Sequence, residues 1–82
     1  DLEVRLAAIA GLGKMSGKDS ASNALISMMT DAEPKVRAAC AAAMGELRDD
    51  RADTHLRYHL EREKDPQVIE AMEQALSALH HR

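Results

Sequence analysis

Two histidines and a glutamate are the residues whose types and spacing could do chemistry together in this sequence. His55, His59 and Glu63 follow one another at intervals of four, which places all three on one face if the segment is helical. Two imidazole nitrogens and a carboxylate can hold a divalent metal ion. The sequence lacks the His-Glu-x-x-His arrangement that adds a catalytic base. We therefore expect no metal and no other cofactor, and these three side chains are the candidate ligands if a metal binds.

The single cysteine, Cys40, is the one thiol that could act as a nucleophile. It falls on an apolar helical stripe between Val36 and Ala43, a position that predicts a buried and unreactive thiol. One cysteine cannot form an intrachain disulfide, which fits a reducing compartment, and we expect a cytoplasmic protein. The sequence supports no Ser-His-Asp or Cys-His arrangement, so we expect a protein without catalytic activity.

The composition limits both the fold class and the partners. A length of 82 residues suggests one small domain, and the formal net charge of −3 comes from interspersed charges of both signs. Nucleic acid and anionic membranes favour a concentrated basic surface, so neither is an expected partner. No apolar run approaches the roughly 18 residues of a membrane helix. Phe and Trp are absent and good helix formers dominate, which predicts an all-α fold.

The sequence repeats itself with an offset of 32 residues. Six columns keep this register: Val4-Arg5/Val36-Arg37/Val68-Ile69, Asp1/Glu33/Asp65, Ala7/Ala39/Ala71, Gly11/Ala43/Ala75, Leu12/Met44/Leu76 and Met15/Leu47/Leu79. In the second copy the apolar residues recur at helical spacing, whereas Gly45 lies off their stripe, so one buried face is expected for that helix. A fixed period of this length is typical of a solenoid of stacked repeats.

The repeats predict five helices arranged as hairpins. The expected helices span 1–15, 20–30, 33–48, 51–63 and 66–80, and the expected repeats span about 1–32, 33–64 and, incomplete, 65–82. Pro34 and Pro66 each follow an acidic residue, an arrangement that favours a helix start. We expect one domain over 1–82 that is a fragment of a longer solenoid. Its last helix either caps the array or has lost or exchanged a neighbour, and self-association through this uncovered helix is a further expectation.

The run Asp31-Ala-Glu-Pro-Lys-Val-Arg-Ala-Ala-Cys-Ala-Ala-Ala-Met-Gly-Glu-Leu, with Lys64-Asp65-Pro66-Gln-Val68, resembles the HEAT-like repeat. The closest form is the short one of phycobilisome-lyase-type proteins. The resemblance implies a right-handed α-solenoid of about two and a half hairpins. In the family, residues matching Asp31 and Arg37 form a polar ladder between repeats, so the resemblance implies structural roles for both.

The second helix of each hairpin is the expected binding surface, because the family commonly uses these helices for a concave face. The offset of 32 aligns three polar pairs, which with Tyr58 would form a polar strip: Asn23/His55, Ser27/His59 and Thr30/Arg62. A solvated face without a ligand is the open alternative. The same offset aligns Met28 with Leu60 and predicts a core position for Met28 and an exposed one for Met29.

Two functions follow from the resemblance. The first is a non-catalytic protein–protein interaction or scaffold module with a protein partner. The second is a subunit or domain of a bilin lyase or another prosthetic-group-handling enzyme, which would need a partner chain to supply acid–base groups. HEAT-like iron hydroxylases bind metal through His-Glu dipeptides, and no histidine here is followed by glutamate.

Overall fold

The fold is a stack of five α-helices. A computed structural model describes residues 1–14 and 18–80, and no strand occurs among them. The helices are α1 (Leu2–Leu12), α2 (Lys18–Met28), α3 (Pro34–Leu47), α4 (Ala52–Leu60) and α5 (Pro66–His80). The all-α prediction is confirmed. The predicted ends of the second helices are wrong, because α2 and α4 end before 30 and 63 in short turns that lead into α3 and α5.

The helices form two layers, and α3 lies at the centre. The first helices of the hairpins, α1, α3 and α5, pack side by side, while α2 and α4 cover them from the other layer. The molecule measures 33 × 26 × 16 Å. One continuous apolar core runs through both layers, from Ile9 in α1 to Leu79 in α5. Because no hairpin buries its apolar face alone, the hairpins stabilise one another.

Local sequence signals place the helix ends. Pro34 and Pro66 are the first residues of α3 and α5, where a missing backbone donor costs nothing. Asp65 caps α5, since its Oδ1 accepts hydrogen bonds from the backbone N–H groups of Gln67 and Val68 at 2.9 and 3.3 Å. Arg48 ends α3 in the left-handed conformation, with φ of 56°.

The first helices keep the 32-residue register and approach one another through glycine. A Cβ atom added to Gly13 would lie 3.1 Å from the Cβ of Ala43, and one added to Gly45 would lie 3.1 Å from the Cα of Ala75. Gly45 is therefore buried, and its predicted place off the buried stripe is wrong. The reason is that α3 has a neighbour on each side, so it buries two faces.

The outer helices have one uncovered side each. In α1 this side includes Val4, which is 65% exposed, although the equivalent Val36 and Val68 are fully buried. In α5 it carries the exposed residues Glu73 and Ser77. A valine of this column is therefore buried only where the first helix of the preceding repeat in the described chain packs over it.

The second helices follow an offset of 31, one residue less than the first helices. Their core positions pair as Ala21/Ala52, Leu25/Leu56 and Met29/Leu60. Met29 is 1% exposed, so its predicted exposure is wrong, and Met28 is only half-buried. The polar pairs predicted with an offset of 32 are therefore one residue out of structural register.

Because the offset is 32 in the first helices and 31 in the second, the second repeat has one residue fewer between the two helices of its hairpin. The register returns to 32 at the other end of α4, where the N–H of Glu63 bonds to the carbonyl of His59, four residues back. In the first repeat the N–H of Asp31 bonds to Met28, three residues back. One extra residue in this last turn restores the spacing before α5.

Candidate interaction surface on the second helices

The predicted strip residues are mostly exposed on α2, α4 and the turns that follow them. Exposed members are Asn23, Ser27, Thr30, His55, Tyr58 and Arg62, and His59 is half-buried. The Ser27 hydroxyl donates to the Asn23 carbonyl and the Thr30 hydroxyl donates to the Ser27 carbonyl, at 3.1 and 3.3 Å. The strip residues on α2 and its following turn are uncharged, whereas the aromatic and cationic residues lie on α4 and its following turn.

Tyr58, His59 and Arg62 form a cluster on α4 and the turn that follows it. The Arg62 guanidinium carbon lies 3.7 Å from the centre of the Tyr58 ring, within the range of a cation–π contact. Arg62 Nη1 also donates to the Tyr58 carbonyl at 2.7 Å. The His59 ring meets the Tyr58 ring edge-on, with centroids 5.2 Å apart. Burial, followed by the neighbouring His55 and Arg62 side chains, lowers the pKa of His59.

A groove opens between the turns that end α2 and α4, and we call it the Arg62 groove. Three residues of the predicted polar strip, Thr30, His59 and Arg62, line it together with Lys64. Its remaining walls come from Met29, Asp31, Ala32, Arg37 and Glu63. The groove therefore brings together predicted residues from both second helices. Asn23, Ser27 and His55 lie elsewhere on the surface, and Tyr58 contributes through its contact with Arg62.

A ladder of arginine–carboxylate pairs connects successive repeats. Arg5 Nη1 donates to the Asp31 carboxylate at 2.8 Å, and Arg37 binds both carboxylate oxygens of Glu63 at 2.8 and 3.0 Å. Each pair spans 26 residues, and the second lies 32 residues after the first. Arg37 also donates to the backbone carbonyls of Asp31 and Ala32.

Hydrogen bonding stabilises the charged forms of the ladder residues. The Glu33 N–H, helped by Arg5, lowers the pKa of Asp31. The Arg37 guanidinium lowers the pKa of Glu63, and Glu63 in turn raises the pKa of Arg37. The resemblance implied a ladder through Asp31 and Arg37. The two are joined through the Asp31 carbonyl, whereas the carboxylate partner of Arg37 is Glu63.

Comparison with known families agrees with this repeat geometry. A family model described as HEAT repeats matches residues 1–77. The chain belongs to the HEAT-repeat family. Searches of curated proteins and of solved structures gave no match. Within the described ranges of this HEAT-repeat chain, no helix is both long and apolar enough to cross a membrane.

The candidate metal set is not assembled in these HEAT repeats. Both carboxylate oxygens of Glu63 are engaged by Arg37, while His55 is exposed and His59 half-buried. Among residues 1–14 and 18–80, no group of three His, Cys, Asp or Glu side chains is placed to hold a metal ion. Cys40 is fully buried in α3, and burial raises the pKa of its thiol to about 12, so the reactive thiolate is not populated at pH 7.

The sequence did not predict a polar cluster around Ser22. Ser22 is buried, and its hydroxyl donates to Asp49 Oδ2 at 2.8 Å. Arg51 donates to Asp49 through its backbone N–H and its side chain, and also to Asp19. These bonds join α2 to the turn before α4. The spacing of the apolar residues indicates that Ser22 is buried, because it lies three residues before Leu25 and seven before Met29, on the same face of the helix.

Proposed function

We propose that this chain is a non-catalytic protein-interaction or scaffold module whose partner binds across α2 and α4. HEAT repeats commonly mediate protein–protein interactions, and the family assignment supports that general role. The observation that carries the proposal is Tyr58, which is 53% exposed and stacked under Arg62. Tyrosine and arginine are the residue types most enriched at interface hot spots.

The proposed mechanism is complementarity to a preformed surface. The α2 and α4 helices are fixed from beneath by Leu25, Met29 and Leu56, all fully or almost fully buried. The backbone of the binding face would therefore lose little conformational freedom when a partner binds, which lowers the entropic cost of association. The uncharged α2 part would supply hydrogen bonds, and the α4 part would supply the aromatic and cationic anchor.

The test is an affinity comparison on a partner isolated with the immobilised chain. Tyr58→Ala should weaken binding by about tenfold or more, the loss of one hot-spot side chain. The double variant Asn23→Ala/His55→Ala should also weaken binding while leaving the chain folded. A matched double variant on the first helices, Lys35→Ala/Glu70→Ala, should not. If only the first-helix variant loses affinity, the partner binds the other layer and the proposal is wrong.

Two other predictions from the sequence have direct measurements. A role in handling a bilin or another prosthetic group predicts an absorbance change on mixing with bilin that is lost when His55 and His59 are replaced. Self-association through the uncovered side of α5 predicts a concentration-dependent mass in sedimentation. The exposed Glu73 and Ser77 on that side disfavour a dry helix–helix contact, because their polar groups would have to be desolvated.

A further inference from the structure

We propose that the segment bound by α2 and α4 is acidic, and that one of its carboxylates binds Arg62 and Lys64 in the Arg62 groove. This inference rests on the proposed function and names the chemistry of the partner. It follows from three features of the groove: an arginine without a carboxylate partner, a fixed orientation of that arginine, and a local excess of positive charge.

Most arginines of the described chain are already neutralised by carboxylates of the same chain. Arg5, Arg37, Arg51 and Arg57 each have a carboxylate oxygen within 3.0 Å. Arg48 and Arg62 differ, and the described contacts of Arg62 are the Tyr58 carbonyl and the Tyr58 ring. No ion pair within 4.0 Å joins Arg62 or Lys64 to another of the residues that the structure describes. These two cations line the same groove and are available to an external anion.

Arg62 is held in an orientation suited to a carboxylate. Nη1 donates to the Tyr58 carbonyl at 2.7 Å, and the guanidinium plane is supported by the Tyr58 ring. The Nε and Nη2 groups make no hydrogen bond to any described residue. A planar edge of two parallel N–H donors matches the two oxygens of a carboxylate. Because the side chain is already ordered, little rotamer entropy would be lost on binding.

The charge of the groove is complementary to an acidic segment. Arg37, Arg62 and Lys64 are its cations, and Asp31 and Glu63 are its anions. Both anions are engaged, Asp31 by Arg5 and Glu63 by Arg37, so the uncompensated charge is positive. The whole chain carries −3, so the charge of this site is opposite in sign to the net charge of the chain. The carbonyl end of α4 weakly disfavours an anion here, but a two-donor contact with Arg62 is the stronger interaction.

A protein segment fits this site better than a free phosphate. Next to Arg62 lies the half-exposed ring of Tyr58, which offers apolar contact to a side chain flanking the carboxylate. A peptide that carries both glutamate and an aliphatic residue would use both parts. An inorganic phosphate would use only the cations.

The inference is tested by an NMR titration of the folded 82-residue chain with two synthetic peptides. One is a short capped peptide in which glutamate alternates with leucine and serine, and the other has glutamine in place of every glutamate. The glutamate peptide should shift the Arg62 Nε–H resonance and the amides of Thr30 and Lys64. It should bind about tenfold more tightly than the glutamine peptide, and this difference should shrink as salt is added.

Matched variants locate the site. Arg62→Gln should lower the affinity for the glutamate peptide about tenfold, whereas Arg48→Gln, which changes another exposed arginine, should leave it unchanged. Equal binding of the two peptides, an unchanged affinity in Arg62→Gln, or no shift at the groove would overturn the inference. So would inorganic phosphate shifting the same resonances at a lower concentration than the peptide, because the groove would then select phosphate.

Failure of this inference can be told apart from failure of the proposed function. With the isolated partner, a loss of affinity in Asn23→Ala/His55→Ala but not in Arg62→Gln would retain the binding face and remove the acidic segment. Unchanged affinity in both would remove the binding face itself.

Discussion

At the scale of single residues, Arg37 makes the largest set of polar contacts between repeats. It binds both oxygens of Glu63 and the carbonyls of Asp31 and Ala32. Its side chain is 20% exposed and that of Glu63 is 7% exposed. A pair so shielded from water is costly to break from one side, because the Glu63 carboxylate would stay largely buried without a counter-charge, with only the backbone N–H groups of Lys64 and Asp65 as donors.

Arg37→Ala should lower the free energy of unfolding by about 2 kcal/mol, the scale of a lost charged hydrogen-bond set with one partly buried partner. Arg5→Ala is the matched control, because Arg5 occupies the same repeat position but its side chain is 43% exposed. Arg5→Ala should lower the free energy of unfolding by clearly less than Arg37→Ala does. Urea unfolding followed by circular dichroism measures both values. An Arg37→Ala protein as stable as the wild type would contradict the ladder.

Asp49 should make the free energy of unfolding depend on pH in the acid range. Hydrogen bonds from Arg51 and Ser22 lower its pKa in the folded protein, so the folded state favours the charged form more than the unfolded state does. The resulting stabilisation is present above the ordinary carboxyl pKa of about 4 and is lost as pH falls through and below that value. The gap in stability between wild type and Asp49→Asn should therefore be largest near pH 7 and shrink towards pH 2.

The control for that experiment is Asp50→Asn, which removes the same formal charge from an exposed neighbouring position. Thermal melts of the three proteins from pH 7 to pH 2 give the comparison. If the two variants differ from wild type by the same amount at every pH, the Asp49 hydrogen bonds do not contribute in the way described.

At the scale of helices, two glycines distinguish a packed contact from an open one. An added Cβ at Gly45 would meet the α5 backbone at Ala75, whereas at Gly11 it would meet nothing within 4 Å. Gly45→Ala should destabilise the protein by about 1–2 kcal/mol, since overpacking exceeds the gain in helix propensity. Gly11→Ala should stabilise it by up to about 1 kcal/mol. Equal effects of the two substitutions in urea unfolding would contradict the close packing of α3 on α5.

The end of α3 offers a stabilising substitution. Arg48 adopts φ of 56°, a conformation that costs a non-glycine residue about 1 kcal/mol. Arg48 is exposed, so little packing is lost when its side chain is removed. Arg48→Gly should therefore raise the melting temperature by several degrees. A lower melting temperature would show that the Arg48 side chain contributes more than the strained backbone costs.

The sequence predicted the first helices better than the second ones. Valine and alanine columns recur at 32 residues in α1, α3 and α5, and proline recurs at the starts of α3 and α5, where the helices must pack against equivalent neighbours. In α2 and α4 the offset is 31, and small or polar residues stand in both registers, so a shift of one residue still gave plausible pairs. For that reason Met29 was predicted to be exposed, and the burial of Ser22 was not predicted. Burial, which depends on tertiary contacts, was needed to find the correct register.

Parts of the candidate interaction surface were likewise predictable from the sequence, and others were not. The polar strip named Thr30, His59 and Arg62, which do line one groove. Lys64 was absent from it, and the partner of Glu63 was unknown, because a contact between residues 26 apart depends on how two repeats stack. The stacking of Arg62 on Tyr58 depends on a side-chain orientation that spacing alone does not determine.

At the scale of the whole molecule, the two helical layers share one core but differ in their expected roles. The first helices carry the closest backbone contacts and the arginines of the ladder, while α4 and the turn after it present the exposed side chains of Tyr58, Arg62 and Lys64. This division is why substitutions in α3 are expected to change stability, and exposed substitutions in α4 are expected to change binding without unfolding the chain.

The central claim is that partners bind the second-helix layer. Amide hydrogen exchange of the chain, measured with and without its isolated partner, tests this most directly. We expect added protection in α2, α4 and the turns that line the Arg62 groove, with exchange in the exposed parts of α1 and α5 unchanged. Protection concentrated on α1 or α5, with α2 and α4 unaffected, would contradict the claim.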